Sequence, residues 1–270
     1  MKIFSKIYMG LIFLFLYAPI VVMIAFSFNN SKSRSVWNGF TFDWYTKLFH
    51  DESIIDALKT TLLVAIVASI FATIIGTLGA IGISAMKNKL KSAVMLATNI
   101  PMVNPEIVTG VSLMLLFVSV FGVLSKVGLE LEFGLLTLIL SHISFNIPYV
   151  ILSVLPKLRQ MNKHSYEAAL DLGCNPFKAF FKVVIPEIMP GIMTGMLMAF
   201  TLSLDDFVIS YCTSGTSAQT LSVLIYSMTR KNVSPKINAL SALMFVTVFI
   251  LMLIVNIRQM KDENKAGAKK

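Results

Sequence analysis

Long apolar runs separated by short clusters of lysine and arginine set the pattern of this chain. A hydrocarbon core of about 30 Å needs roughly 17 to 25 apolar residues in a helix. That criterion selects six runs, at residues 7–28, 60–86, 107–125, 133–155, 188–204 and 237–257. The third is preceded by residues 93–105, which are uncharged but interrupted by Pro101, Asn104 and Pro105 before Glu106. Each proline removes a backbone donor, so the pattern predicts a third span over about 95–125, broken near 101–105. The fifth run meets Asp205 and Asp206 after 17 residues. It either ends near the interface or carries both carboxylates inside the embedded protein, to about residue 210. The first run is too long for a signal-peptide core of about 7–15 residues and has no A-x-A site after it, so it reads as a retained helix.

Composition turns these runs into a fold class. Of 270 residues, 56% are apolar and 14% charged, too few charges to cover a soluble globule of this size. An ordinary soluble enzyme is excluded, and the expected fold is all-α: one polytopic domain of six transmembrane helices over residues 1–260, with a disordered cytoplasmic tail at 261–270. The net charge of +9 calls for no nucleic acid, because the basic residues follow membrane orientation. Fifteen of the 23 lie at the termini and in the loops after the second and fourth spans, and eight lie in the other loops. That asymmetry puts both termini in the cytoplasm. Gly76, Gly79 and Gly82 in the second span and Gly191 and Gly195 in the fifth are small-residue stripes that let helix backbones approach. Cys174 and Cys212 belong to no metal or disulfide pattern and read as inert.

Catalytic constellations are missing. The chain has no G-x-x-x-x-G-K-[ST], no H-E-x-x-H and no G-x-S-x-G, and His50, His142 and His164 fall on three different segments. It is not expected to hydrolyse ATP or to bind a cofactor or metal. His142 lies in Ser-His-Ile-Ser-Phe-Asn-Ile-Pro, either as a hydrogen-bonded buried histidine or lining a watery path.

The cytoplasmic segment 157–187 is the most informative. It reads Tyr-Glu-Ala-Ala-Leu-Asp-Leu-Gly-Cys-Asn-Pro over residues 166–176 and continues to Pro186. Good helix formers stopped by Gly173 and Asn-Pro predict a short helix, a tight turn and a second helix. Phe177, Phe180, Phe181 and Val184 at i, i+3, i+4 and i+7 predict one apolar face on that second helix. Such a bracket either caps the bundle or offers a handle to another protein. Glu167-Ala168-Ala169, then Gly173, then Val183-Val184-Ile185-Pro186 resembles the EAA loop of ABC importer permeases, with Val183 and Ile185 as conservative departures.

The resemblance extends over nearly the whole chain to the permease subunits of bacterial spermidine/putrescine transporters, most closely the second of the two. Ser27-Phe28-Asn29, Gly39-Phe40, Trp44-Tyr45, Ser203-Leu204-Asp205-Asp206, Ile225-Tyr226-Ser227-Met228, Val233-Ser234-Pro235 and Asn238-Ala239-Leu240 carry it. It implies the ABC type I importer permease fold and a heterodimer with a sister permease in the bacterial inner membrane. It also implies two cytoplasmic ATPase subunits that hold ATP and Mg, and an external polyamine-binding protein. Glu167, Ala168, Ala169, Asp171, Gly173 and Pro186 would then engage the ATPases.

Polyamines are di- or tricationic, and a cation crossing a low-dielectric bundle needs compensating carboxylates. One carboxylate at the centre of a membrane helix costs about 2.5–3.5 kcal/mol on insertion scales, so such residues need a reason to be there. Glu106, Asp205 and Asp206 touch the expected spans. Adjacent helical residues point about 100° apart, so Asp205 and Asp206 cannot both face one pathway. Either one of them lines the pathway or both cap helix ends at the outer interface. Two rival readings stay open, an importer for another solute delivered by a binding protein and a self-sufficient channel or ion-coupled carrier. The orientation is directly testable: a reporter fused after Lys270 should behave as cytoplasmic and one inserted near Asn38 as external. An external C-terminus would undo the six-span reading.

Overall fold

The computed structural model describes residues 2–31, 36–231 and 236–267. Lys32, Arg34 and Val233-Ser234-Pro235 lie outside the described residues. The described chain is all-α: α1 (Lys2–Ser27), α2 (Asp43–Phe49), α3 (Glu52–Ala85), α4 (Asn88–Val103), α5 (Glu106–Ser125), α6 (Leu135–Gln160), α7 (Lys163–Asp171), α8 (Pro176–Ala179), a π-helical turn (Phe180–Val184), α9 (Ile185–Asp205), α10 (Val208–Thr213), α11 (Leu221–Lys231) and α12 (Lys236–Gly267). Among these residues no strand forms, only a bridge between Asn29 and Phe40.

Five helical stretches are long and apolar enough to cross a membrane: Phe4–Ser27, Glu52–Ala85, Glu106–Ser125, Leu135–Gln160 and Pro176–Asp205. The sixth expected span falls in α12, whose Lys236–Ile250 portion is a shorter apolar stretch. The α3 helix starts at Glu52, well before residue 60, because charge ends an apolar run without ending a helix. The tail departs from expectation, since residues 261–267 continue α12 as helix instead of being disordered. The break near 101–105 comes after Val103. Asn104 is extended at φ −69°, ψ 139°, the conformation a following proline favours, and Pro105 precedes the first turn of α5. Pro101 is accommodated inside α4, which begins earlier than expected, at Asn88.

The chain divides into two compact units. One comprises Met1–Leu58 and Leu221–Asn256, and its core gathers Trp44, Leu48, Ile54, Ala57, Leu221, Leu224, Ala239 and Leu240. Within it Lys236 Nζ meets Asp51 Oδ2 at 3.1 Å. The hydrogen bond from the Ser53 hydroxyl, followed by Lys236, holds the Asp51 carboxyl below its usual range.

The other unit comprises Lys59–Thr220 and Ile257–Lys270. It is organised by α6 against α9, with Val150, Ile151, Val154, Leu155, Ile188 and Ala199 buried between them and α3. Glycine sets how close the two helices come. A Cβ at Gly191 would lie 2.9 Å from Ser153 O and 3.2 Å from Val154 Cα, and one at Gly195 would lie 3.1 Å from Val150 Cα. From α3, Gly76 packs on Val150 and Gly79 on Ile151, whereas Gly82 faces open space. Gly191→Val should therefore cost about 1–3 kcal/mol through overpacking against backbone that cannot yield. Gly82→Val should cost no more than its change in helix propensity. Thermal denaturation and membrane abundance of the two variants check this, and equal loss in both would refute the close seam.

Candidate translocation corner and coupling bracket

The acidic residues meet where α9 turns into α10. The α9 helix ends at Asp205, and Asp206 leaves it at φ −58°, ψ 128°. The Asp206 carboxylate accepts the backbone N–H of Ser210 at 2.7 Å and that of Ile209 at 3.4 Å, supplying acceptors that the first turn of α10 lacks. Its side chain is 3% exposed. His142 of α6 is fully buried beside it, with Nε2 at 3.1 Å from Ser210 Oγ and 3.6 Å from Asp206 Oδ2. A proton on Nε2 suits this position, since a lone pair there would face a carboxylate. One turn further along α6, Asn146 Nδ2 donates to Ser203 Oγ of α9 at 2.7 Å. Near the start of α6, Thr137 Oγ1 donates to the Thr213 carbonyl at the end of α10 at 2.8 Å.

Asp205 is exposed. Glu106, the exposed first residue of α5, acts electrostatically on Asp205, as does Asp206. Glu106 also acts on the half-buried Tyr149 of α6. The structure thus brings all three carboxylates into one neighbourhood. Asp206 is buried, while Asp205 and Glu106 are exposed. Tyr149 and Ser210 were missed in the sequence, and Asn146 and Ser203 were quoted within motifs without a role of their own. The signal available was polar residues one turn apart on an apolar helix, as with His142 and Asn146.

The bracket is built by local rules. The Asn162 side chain caps α7 by accepting the His164 N–H at 3.1 Å. At the other end the Cys174 N–H bonds Ala169 O at 3.0 Å and the Gly173 N–H bonds Leu170 O at 2.9 Å. This is a Schellman turn, and it requires the left-handed Gly173, at φ +81°. A Cβ at Gly173 would meet nothing within 4 Å, so backbone conformation and not packing selects glycine. The Asn175 side chain caps α8 through the Phe177 N–H at 3.0 Å, with Pro176 in the first turn. Glu167, Ala168, Asp171 and Pro186 are exposed and Ala169 is half-buried. Glu167 touches His164 at 3.3 Å.

The expected four-residue apolar face is corrected. Val184 is buried and Phe180 packs partly into the core, but Phe177 and Phe181 are 71% and 51% exposed and pack on each other, centroids 4.8 Å apart. The π turn is the reason. With i→i+5 bonding, buried Ala179 and Val184 share a face five residues apart, and a 3.6-residue periodicity misassigns the side chains around them. Among the described residues no cluster of three or more His, Cys, Asp or Glu is arranged for a metal.

Residues 72–259 match the family described as the inner membrane component of binding-protein-dependent transport systems. The chain belongs to that family. It is 39% identical over 242 residues to the Escherichia coli K12 putrescine transport system permease protein PotI, covering 88% of this chain and 84% of that one. It is 34% identical over 260 residues to the E. coli K12 spermidine/putrescine transport system permease protein PotC, covering 96% and 95%. Its fold resembles a crystal structure of a bacterial ABC transporter that imports the acidic polysaccharide alginate, with a TM-score of 0.75 and 20% identity over 96% of this chain and 95% of that chain. The chain is accordingly an ABC importer permease of the inner membrane, with the all-α fold expected of one.

Within this permease the two neighbouring aspartates should respond differently to truncation. Asp206→Ala leaves the Ser210 and Ile209 N–H groups without their acceptor and should cost about 1–3 kcal/mol. Asp205→Ala, at an exposed position, should cost less than that. Unfolding midpoints of the purified complexes in one detergent decide it, and a larger loss at Asp205 would reverse the assignment.

Proposed function

We propose that this chain is the membrane-conducting permease subunit of an ATP-driven polyamine importer. In this reading it forms the pathway with a sister permease, is driven by two cytoplasmic ATPases and receives putrescine or spermidine from an external binding protein. It catalyses no reaction on its cargo, and ATP and Mg belong to the partner ATPases. The observation that carries the cargo is the gathering of three carboxylates, the exposed Asp205 and Glu106 beside the buried Asp206, at the end of one membrane helix. It agrees with the putrescine and spermidine named for relatives that align over most of the chain. A self-sufficient carrier would have no use for the exposed bracket between α6 and α9.

The mechanism follows from one continuous rod. From Pro176 to Asp205 the chain is helical, with the bracket at its base and the exposed Asp205 at its tip. Thirty residues at about 1.5 Å each make roughly 45 Å. Closure of the ATPases on ATP would push the bracket, with the exposed Phe177–Phe181 pair as its apolar anchor and Glu167 and Asp171 as polar contacts. The rod would carry that movement to Asp205. There the carboxylates compensate ammonium groups while the spans rock between outward- and inward-open states.

Radiolabelled putrescine uptake by the reconstituted complex, normalised to assembled protein, tests both ends. Asp205→Asn keeps size and hydrogen bonding but removes the charge. Losing a charge-assisted bond of about 1.5–3 kcal/mol should raise KM roughly tenfold or more, and Glu106→Gln should act in the same direction. Gly173→Val should abolish ATP-driven uptake in a chain that still inserts. Unchanged uptake in both carboxylate variants would remove the cationic pathway. Normal transport by the Gly173 variant with ATPases attached would remove the coupling role.

A further inference from the structure

The first external loop folds back on the end of α1 in a way that membrane transport itself does not require. Buried Asn29 organises it. The Asn29 side chain donates to Val36 O at 2.8 Å and accepts the Asn38 N–H at 2.9 Å, and the Asn29 backbone carbonyl accepts the Trp44 indole N–H at 2.8 Å. The loop also pairs Asn30 N–H with Gly39 O at 2.9 Å and Thr41 N–H with Phe28 O at 2.8 Å. This well-bonded loop displays apolar side chains instead of hiding them: Val36, Trp37, Phe40 and Phe42 are 57%, 52%, 62% and 61% exposed.

The two tryptophans differ. Trp44 is buried and its N–H is satisfied. Trp37 stands edge-on to Phe26, in the last turn of α1, with ring centroids 6.1 Å apart. Among the described residues nothing accepts its indole N–H. Its ring therefore lies level with the end of an apolar helix that has none of its spanning window buried by this chain. An apolar body at the edge of the hydrocarbon with a free donor is the arrangement that bilayer interfaces select for tryptophan.

We infer that the loop bearing the exposed Trp37, Phe40 and Phe42 docks on lipid, seated in the outer leaflet with the Trp37 N–H donating to headgroup or ester oxygens. Through the Trp37–Phe26 and Phe40–Phe28 contacts it continues the end of α1, and lipid is the occupant that both its apolar rings and the Trp37 donor fit. The same loop holds Trp44, so the anchor also fixes the depth of α2.

Fluorescence of the whole reconstituted complex in nanodiscs tests this, with the difference between the parent and Trp37→Phe complexes isolating Trp37. The probes are phosphatidylcholine brominated high on its acyl chains, the same lipid brominated near the chain ends, and aqueous iodide. The expected result is that shallow bromines quench the difference signal at least about twofold more than deep bromines, with little effect from iodide. Quenching by iodide alone would place the face in water. Insensitivity to all three probes would mean that another protein chain covers it. Either outcome overturns the lipid assignment, and equal assembly of the two complexes shows that the comparison is between folded proteins.

Discussion

Glycine-governed contact between α6 and α9 is the constraint on which the second unit depends. With Gly191 against Ser153 O and Gly195 against Val150 Cα, the two helices are as close as backbones allow. Only at that separation do the short polar side chains further along reach across. Asn146 to Ser203 at 2.7 Å across that seam, and His142 of α6 to Ser210 of α10 at 3.1 Å just beyond it, depend on this close approach. In hydrocarbon there is no water to replace them. Small residues at one end of the seam therefore make a polar network affordable at the other.

That network explains why a carboxylate can be buried at Asp206. Asp206 accepts two backbone N–H groups and faces His142, so it acts as the local acceptor that lets the chain leave α9 and begin α10. Asp205, the last residue of α9, is exposed and interacts electrostatically with Glu106. Adjacent residues of one turn thus differ in burial. The buried one holds the corner, and in the proposed mechanism the exposed one meets the cargo.

Much of this was legible in the chain. The apolar runs located the spanning helices because lipid imposes one length scale on all of them, and Pro105 marked the α4–α5 break because proline restricts its predecessor. Gly173 with Asn175-Pro176 marked the bracket through rules that need no tertiary partner. Three features were not legible. Lys59 ends an apolar run and so hid the start of α3 at Glu52, since helices continue past charges outside the membrane. The π turn was invisible because periodicity assumes one repeat, and it turned Phe177 and Phe181 outward. Ser210 and Ser203 could not be assigned because a hydroxyl in an apolar run is usually bonded within its own helix, and only the three-dimensional seam shows a partner on another one.

The π turn also has a physical use in the proposed mechanism. A uniform α-helix from Pro176 to Asp205 would keep a single apolar stripe along its length, and that stripe would be spent on α6. Widening one turn displaces the side chains before it relative to those after it, so Ala179 continues the buried stripe of Val184, Ile188 and Gly191 while Phe177 and Phe181 leave it. One helical stretch can then pack on the bundle along its upper length and present aromatic surface at its base. A π turn changes which side chains face outward without ending the helix, so the surface at the base stays in one continuous helical stretch with Asp205.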